Sequence, residues 1–356
     1  MTQARGAVRA ELPEVADDLV VVDGLARHFA LDKRANQVVR AVDDVSFAIR
    51  RGETFGLVGE SGSGKSTLAR LLLRLDRPTA GRVLFDGIDV ASLSARELRK
   101  LRWRMQIVFQ DPFASLNRRR TVEQTIELPL RVHQPQLKSA ERAARVRELL
   151  DLVGLRSSHA TAYPRELSGG QCQRVSIARA LSIRPEFVVL DEAVSAVDVS
   201  IQAQILNLLR ELQGRLGLTY LFVSHDLSVV RYMSNTIGVM YHGKIVELGS
   251  REQLFSSPRH PYTHGLLASI PVPDPEVERA RERERAQGIV RDEVAAGAEV
   301  SGCRFHPRCP LGTRERCRAV EPPLELVEPE HYAACHFPQS AESLARAAAA
   351  EATPAG

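Results

Sequence analysis

The chain has 356 residues, with 48 Lys or Arg against 44 Asp or Glu, and its formal net charge is +4. Charged residues make up 26% and hydrophobic residues 44% of the sequence, which excludes wholesale disorder and fibrous repeats. The near balance of charge gives no electrostatic reason to expect nucleic-acid binding. No apolar run approaches the ~18 residues of a membrane span, and residues 1–18 lack the apolar core of a secretory signal. We therefore expect an intracellular protein that does any membrane work with a partner.

Residues 19–248 are predicted to alternate between strands and helices, because short apolar runs bounded by glycine precede segments with helical spacing. Strands are predicted at 19–22, 46–49, 53–58, 83–85, 106–109, 187–190 and 220–223. Helices are predicted at 66–75, 138–153 and 200–216, and a hairpin is predicted at 237–248. The all-apolar runs 187–190 and 220–223 are typical of buried parallel strands. The pattern predicts an α/β fold.

A glycine-rich loop lies between the predicted strand 53–58 and the predicted helix 66–75. It is a complete phosphate-binding P-loop in its required context, made of Gly59, Glu60, Ser61, Gly62, Ser63, Gly64, Lys65, Ser66 and Thr67. In such a loop the backbone N–H groups surround phosphate oxygens, and the helix N-terminus adds its positive dipole end. Lys65 is expected to reach the β- and γ-phosphates, and the Ser66 hydroxyl to ligate Mg²⁺. The loop predicts nucleoside triphosphate binding.

Two adjacent carboxylates, Asp191 and Glu192, follow the apolar strand 187–190. Asp191 suits an outer contact to Mg²⁺. Glu192 suits the hydrolytic water, either as its general base or as its positioning group. Such pairs are common in surface turns, but the position after a buried strand and downstream of a P-loop favours the catalytic interpretation.

The segment Ser168, Gly169, Gly170 and Gln171, at the start of a predicted helix, distinguishes the class of ATPase. With it the chain resembles the ATP-binding-cassette (ABC) ATPases over about residues 19–248. The resemblance implies a P-loop NTPase fold with antiparallel β and helical subdomains. It also implies that this signature caps the γ-phosphate held by a second subunit, in a head-to-tail dimer with two composite sites.

The resemblance assigns four further positions. Gln110 matches the Q-loop glutamine that contacts Mg²⁺, and Asp198 matches the D-loop residue that crosses the dimer interface. His225 matches the switch histidine that holds the γ-phosphate, and Phe29 is the candidate for stacking on adenine. Departures from the usual family pattern at 193–194, 197 and 172 remove no contact to phosphate, metal or water, so a hydrolytically competent site is expected.

The domain organisation follows from this match and from composition. We expect a flexible tail at 1–18, an ABC domain at 19–255 with a helical subdomain near 94–181, a small cysteine-bearing extension at 256–338 and a disordered tail at 339–356. Alternating Glu and Arg at 276–285 predict an exposed helix or linker.

The start of the extension narrows the family. His260, Pro261, Tyr262 and Thr263, within residues 259–271, resemble the extension of ATPases from oligopeptide and dipeptide importers, and of relatives that move nickel, opines or oligosaccharides. The chain most resembles the F-type subunit of such importers. The resemblance implies a location at the cytoplasmic face of the membrane. It also implies a D-type ATPase partner, two transmembrane permeases and an extracytoplasmic solute-binding protein. A soluble ABC ATPase is the alternative, although a single cassette without sustained heptads favours a transporter subunit.

Four cysteines lie in the extension, namely Cys303, Cys309, Cys317 and Cys335. Their spacing differs from the short pairs of zinc ribbons and bacterial ferredoxins, and by itself it does not decide between zinc, a [4Fe–4S] cluster and unligated thiols. The family resemblance implies a [4Fe–4S] cluster, which would staple an extension that shows no obvious core. His306, His331 and His336 are candidate substitute ligands.

Overall fold

The computed structural model describes residues 17–32, 37–270, 300–311 and 314–338. The predicted tail 339–356, the Glu/Arg run at 276–285 and nearly all of the predicted tail 1–18 lie outside these ranges. The strands are β1 Asp18–Asp32, β2 Gln37–Arg50, β3 Thr54–Val58, β4 Ala80–Phe85, β5 Ile88–Asp89, β6 Met105–Val108, β7 Phe187–Asp191, β8 Thr219–Ser224, β9 Thr236–Tyr241, β10 Lys244–Ser250, β11 Glu325–Glu328 and β12 His331–Ala333.

The helices occupy the segments between the strands and after them. They are α1 Lys65–Leu72, α2 Ala95–Leu101, α3 Pro112–Ser115, α4 Val122–His133, α5 Ser139–Leu152, α6 Gly169–Leu181, α7 Val199–Leu216, α8 Leu227–Met233, α9 Arg251–Ser256, α10 Pro261–Ala268 and α11 Glu315–Ala319. Within the described ranges, no helix combines the length and the apolar character that crossing a bilayer requires.

The main sheet has eight strands in the order β11-β12-β10-β9-β3-β8-β7-β6. Strands β9, β3, β8, β7 and β6 are parallel, and β3, β7 and β8 are buried along their whole length. Burial on both faces explains why these strands have apolar runs rather than alternating sequences. Because they are parallel, the carboxyl ends of β3, β6, β7 and β8 meet at one edge of the sheet. The predicted α/β P-loop fold is confirmed.

A second sheet of four antiparallel strands has the order β2-β1-β4-β5. Its long pair, β1 with β2, contains several register shifts, and Phe29 lies opposite Val39. Both strands extend well beyond the predicted segments 19–22 and 46–49. These extensions were not predicted because exposed residues such as Phe29, Arg40 and Asp44 interrupt the apolar runs.

Along the chain, helices α2 to α6 lie between β5 and β7. Helix α4 packs on α5 and α6, and the shared core includes Ile126, Val146 and Leu149, each at most 1% exposed. Apolar residues at helical spacing supply this contact. The packing holds the amino end of α6, where the predicted signature begins, against the rest of the chain.

The extension is built into the main sheet. Strand β12 pairs antiparallel with β10, with Glu247 opposite Ala333. Phe305 is only 1% exposed, and its ring centroid lies 5.3 Å from that of Tyr241 and 5.5 Å from that of Tyr262. The extension therefore shares a core with the ATPase portion. This core could not be predicted from the extension's own residues, because most of it comes from elsewhere in the chain.

Candidate functional site

The P-loop connects β3 to α1 and is backed closely by main chain. A Cβ atom on Gly64, whose φ is +109°, would lie 2.0 Å from the carbonyl oxygen of Ala41. A Cβ atom on Gly59 would lie 2.1 Å from the carbonyl oxygen of Met240. Only glycine fits at these positions, so β2 and β9 shape the loop from outside and leave its inner N–H groups for an anion.

Lys65 begins α1 and is 4% exposed. Its Nζ donates to the carbonyl oxygens of Gly59 at 2.7 Å and of Glu60 at 2.8 Å. Burial lowers the pKa of Lys65, although nearby carboxylates oppose the shift. A buried ammonium group that is held only by carbonyl and hydroxyl oxygens can exchange these for the charged oxygens of a phosphate.

The predicted magnesium ligands Ser66 and Asp191 are in contact. The Ser66 hydroxyl donates to Oδ1 of Asp191 at 3.0 Å, which joins the start of α1 to the end of β7. Burial raises the pKa of Asp191, and the hydrogen bond from Ser66 works against this shift. Hydroxyl and carboxylate oxygens suit Mg²⁺, which usually combines one or two protein oxygens with phosphates and water. The residues present therefore fit the ion.

Gln110, Glu192 and His225 come together at the carboxyl ends of β6, β7 and β8. Gln110 Nε2 donates to Glu192 Oε2 at 2.8 Å, and His225 Nδ1 lies 3.5 Å from Glu192 Oε1. Glu192 has a φ of +48°, which is uncommon outside glycine, and its N–H donates to the carbonyl of Val223 at 3.0 Å. This turn of the chain directs the carboxylate between the other two side chains.

The signature segment caps its own helix, and Gln171 Nε2 also lies 3.4 Å from His159 Nε2. Ser168 and Gln171 form a capping box at the start of α6, with Ser168 Oγ accepting from the Gln171 N–H at 3.3 Å and Gln171 Oε1 accepting from the Ser168 N–H at 2.9 Å. Ser168 is exposed, and so are Asp198 and the following Val199, which is 81% exposed. Within the described part of the chain, no hydrogen bond or ion pair brings Ser168, Gln171 or Asp198 to the P-loop.

Phe29 lies on β1, apart from the P-loop in the second sheet. Its ring is 36% exposed, and the Arg27 guanidinium lies 4.4 Å from the ring centroid. The ring is therefore accessible, as stacking on a base requires.

The predicted cysteine-ligated cluster is wrong. Among the described residues, which include all four cysteines of the extension, no group of three or more His, Cys, Asp or Glu side chains is arranged to hold a metal ion. The four are free thiols, and burial raises their pKa values, to about 12 for Cys309 and Cys335. Cys309 Sγ accepts from the N–H of Leu311. Neither [4Fe–4S] nor zinc is supported by this arrangement. Burial favours the neutral thiols, although backbone N–H groups that donate to Cys303, Cys309 and Cys335 oppose this effect.

The histidines named as substitute ligands are also engaged elsewhere. His331 Nε2 lies 2.8 Å from Oε1 of the buried Glu247. His306 and His336 contact the carbonyl oxygens of Cys303 and Val320. Apolar packing around Phe305 and the pairing of β12 with β10 hold the extension together, which is the role predicted for the cluster.

Two side chains of the extension contact the P-loop, and neither contact was predicted from the sequence. Arg308 donates to both carboxylate oxygens of Glu60, at 2.8 and 3.0 Å. The N–H of Glu60 donates to the hydroxyl oxygen of Tyr262 at 2.9 Å. No local pattern links residues so far apart along the chain.

The fold and the site together define an ABC-type P-loop ATPase. Two family models match the chain, "ABC transporter" over residues 42–195 and "Oligopeptide/dipeptide transporter, C-terminal region" over residues 246–317. The solved structure of the ATP-binding cassette MJ0796 with ADP and phosphate is similar at 32% identity and a TM-score of 0.60, over 65% of this chain and 98% of that one. The structure of cbiO1 from Clostridium perfringens is similar at 29% identity and a TM-score of 0.60, over 67% of this chain and 91% of that one.

Curated relatives are similar over nearly the whole length. "Probable peptide ABC transporter ATP-binding protein y4tS" of Sinorhizobium fredii is 49% identical over 90% of each chain. "Oligopeptide transport ATP-binding protein AppF" of Bacillus subtilis is 46% identical over 95% of this chain and 99% of its own. The chain belongs to the family of ABC transporter ATP-binding proteins, in the branch that carries the oligopeptide/dipeptide extension. It is accordingly an ATPase, and the family prediction is confirmed.

Proposed function

We propose that this chain is the ATP-hydrolysing subunit that powers peptide uptake by an ABC importer of the cytoplasmic membrane. One observation carries the proposal, the grouping of side chains at one edge of the main sheet. The P-loop with its buried lysine lies there beside the Ser66–Asp191 contact and the group formed by Gln110, Glu192 and His225. The same chain carries the oligopeptide/dipeptide extension. The peptide-transport names of the full-length relatives support the choice of solute.

The site residues take the following proposed roles. Gly59, Glu60, Ser61, Gly62, Ser63, Gly64, Lys65, Ser66 and Thr67 bind the phosphates of ATP, and Phe29 stacks on adenine. Ser66, Gln110 and Asp191 would hold Mg²⁺, which would supply positive charge next to the β- and γ-phosphates. Glu192 takes a proton from the attacking water or orients it, and His225 holds the γ-phosphate.

The signature and the D-loop act across a dimer of ATPase subunits. Ser168, Gly169, Gly170 and Gln171 would cap the γ-phosphate bound by the partner, and Asp198 would cross the interface. The exposure of Ser168 and Asp198, and the 81% exposure of Val199, supports this role, because it leaves all three residues accessible to a second subunit. A D-type paralogue is the proposed partner.

Two transmembrane permeases and an extracytoplasmic solute-binding protein complete the proposed importer, with this chain at the cytoplasmic face. The exposed ring of Phe113, in the helix that follows Gln110, supports permease contact near the Q-loop. We propose an ABC domain at 19–255, with its helical subdomain near 94–181, and an extension at 256–338, although β12 joins the two into one sheet.

Solute uptake in the native host tests the function. A strain without the gene should lose uptake of labelled di- and oligopeptides, the intact gene should restore it, and Glu192→Gln should not. Immunoblots of membrane fractions check that the variant is present. If the strain instead loses uptake of nickel, opines or oligosaccharides and keeps peptide uptake, the chain powers import of that other solute. Normal uptake of all four would contradict an importer role.

A further inference from the structure

Glu60 lies at the start of the P-loop and is held from the extension. Arg308 forms a bidentate ion pair with its carboxylate, with nitrogen–oxygen distances of 2.8 and 3.0 Å. Tyr262, from α10, accepts the N–H of Glu60 at 2.9 Å. Both the side chain and the backbone of one P-loop residue are therefore fixed by residues outside the ATPase portion.

A second connection reaches the middle of the loop. Arg304 Nη1 donates to the carbonyl oxygen of His242 at 2.5 Å, and the N–H of Gly243 donates to the carbonyl oxygen of Ser63 at 2.8 Å. Arg304 also pairs with Asp43, whose N–H donates to the carbonyl of Gly243 at 2.8 Å. The β9–β10 turn thus links Arg304 to the P-loop.

The Arg308 guanidinium is held in a fixed place. Its side chain is 12% exposed, and its central carbon lies 5.9 and 5.8 Å from the ring centroids of Tyr241 and Phe305. An ion pair with bidentate geometry and a partly buried partner contributes more than an exposed one. Little rotamer entropy remains to be lost at Arg308 when the loop becomes ordered around a ligand.

The charge of Glu60 would oppose phosphate binding if it were left unpaired. Its carbonyl oxygen accepts from Lys65 Nζ, so the residue borders the pocket that a triphosphate fills. A carboxylate on a residue that borders this pocket repels the phosphate charges, and the repulsion is stronger where water is partly excluded. Arg308 compensates the carboxylate without entering the loop itself.

We propose that Arg308, with Tyr262 and Arg304, positions the P-loop and neutralises Glu60, so that the extension sets this subunit's affinity for MgATP. The inference rests on the proposed role of the P-loop in binding ATP. Arg308 is a positioning residue, since it acts through Glu60.

The test measures MgATP binding to the full chain by calorimetry. Arg308→Gln should weaken MgATP binding about tenfold, with a smaller loss for the less charged MgADP. Glu60→Gln combined with Arg308→Gln should recover most of that loss, because the pair is again neutral and the two amides can still hydrogen-bond. Arg308→Lys, which keeps the positive charge but loses the bidentate geometry, should weaken MgATP binding by only about threefold.

A matched control breaks a different contact between the extension and the ATPase portion. Arg50 pairs with Glu330 at 2.8 Å on the surface, away from the P-loop, so Arg50→Gln should leave MgATP binding unchanged. Unchanged affinity in Arg308→Gln would overturn the inference. So would a double variant as weak as the single one, since that result indicates a purely structural contact. Absence of MgATP binding by the unaltered chain would instead contradict the proposed function itself.

Discussion

The side-chain amide of Gln110 donates a hydrogen bond to the carboxylate of Glu192, with 2.8 Å between Nε2 and Oε2. The two residues follow β6 and β7, which are neighbours in the main sheet. With Nε2 engaged, Oε1 of Gln110 remains available as a magnesium ligand. The Q-loop and the proposed base are thus coupled, because a shift of Gln110 towards a metal changes the contacts of Glu192.

Replacing Glu192 by glutamine should cut ATP turnover by on the order of 10²–10⁴ and preserve ATP binding, because the amide cannot accept a proton from water. Phosphate release and nucleotide binding measure the two properties. Glu211→Gln, at an exposed position on α7 paired with Arg215, is the matched control and should keep normal turnover. Near-normal turnover in Glu192→Gln would remove Glu192 from the catalytic role.

Replacing Lys65 by methionine should weaken ATP binding by about tenfold to a hundredfold, because the variant lacks the charge that faces the phosphates. The nucleotide-free protein should remain folded, since methionine fills the buried site without a charge to desolvate. Thermal unfolding with and without MgATP measures both properties. Lys100→Met, on the exposed side of α2, is the control. MgATP should raise its unfolding temperature as much as it does for the unaltered chain. A full shift in Lys65→Met would contradict the assignment of the loop.

Replacing Gly170 by alanine should lower the free energy of unfolding by about 1–3 kcal/mol, because the new Cβ would lie 2.4 Å from Cγ2 of Ile201. Since α6 carries the signature and Ile201 follows the D-loop, turnover should also fall. Urea unfolding and phosphate release report the two effects. Gly214→Ala has no neighbour within 4 Å and should stabilise α7 by about 0.5–1 kcal/mol. If the two variants have the same free energy of unfolding, Ile201 moves aside without cost.

His260 should make the protein less stable in mild acid. Burial lowers its pKa from 6.5 to about 4, although Glu247 opposes the shift. Between these values the unfolded chain binds a proton that the folded chain does not. The free energy of unfolding should therefore fall as the pH drops from 6.5 towards 4, by up to roughly 1.4 kcal/mol per pH unit.

The variant His260→Asn tests this pH dependence. Asparagine retains an acceptor for the N–H of Tyr262, which His260 Nδ1 caps at 3.1 Å. Urea unfolding at pH 7 and pH 5 should show a smaller loss of stability in the variant than in the unaltered chain. Equal losses in the two proteins would assign the acid sensitivity to other groups.

Much of the candidate site could be predicted because each element of it is local. The P-loop, the pair Asp191 and Glu192, and His225 directly follow short apolar runs. Parallel strands place their carboxyl ends at one edge, so residues at those ends converge once the strands are recognised. The assignments of Gln110 and His225 also depend on the family resemblance.

The cysteine array shows where such reasoning fails. Spacing along a chain does not say where side chains point, and an extension that appeared to lack a core turned out to share one with the ATPase portion. Phe305 packs on Tyr241 and Tyr262, and Cys303 and Cys309 belong to the same apolar cluster. The metal was inferred to replace a core that the tertiary structure already supplies.

The sequence by itself determined the central strands of the main sheet, the P-loop and the order of the catalytic motifs, because these depend on hydrophobic runs and glycines within a few residues of one another. Only the tertiary structure decided that Arg308 and Tyr262 hold Glu60, and that β12 extends the main sheet beside β10. The physical reason is that such contacts join distant parts of the chain: Tyr262 and Arg308 are 202 and 248 residues from Glu60. Their geometry depends on how the whole chain packs, for which one sequence carries no local signal.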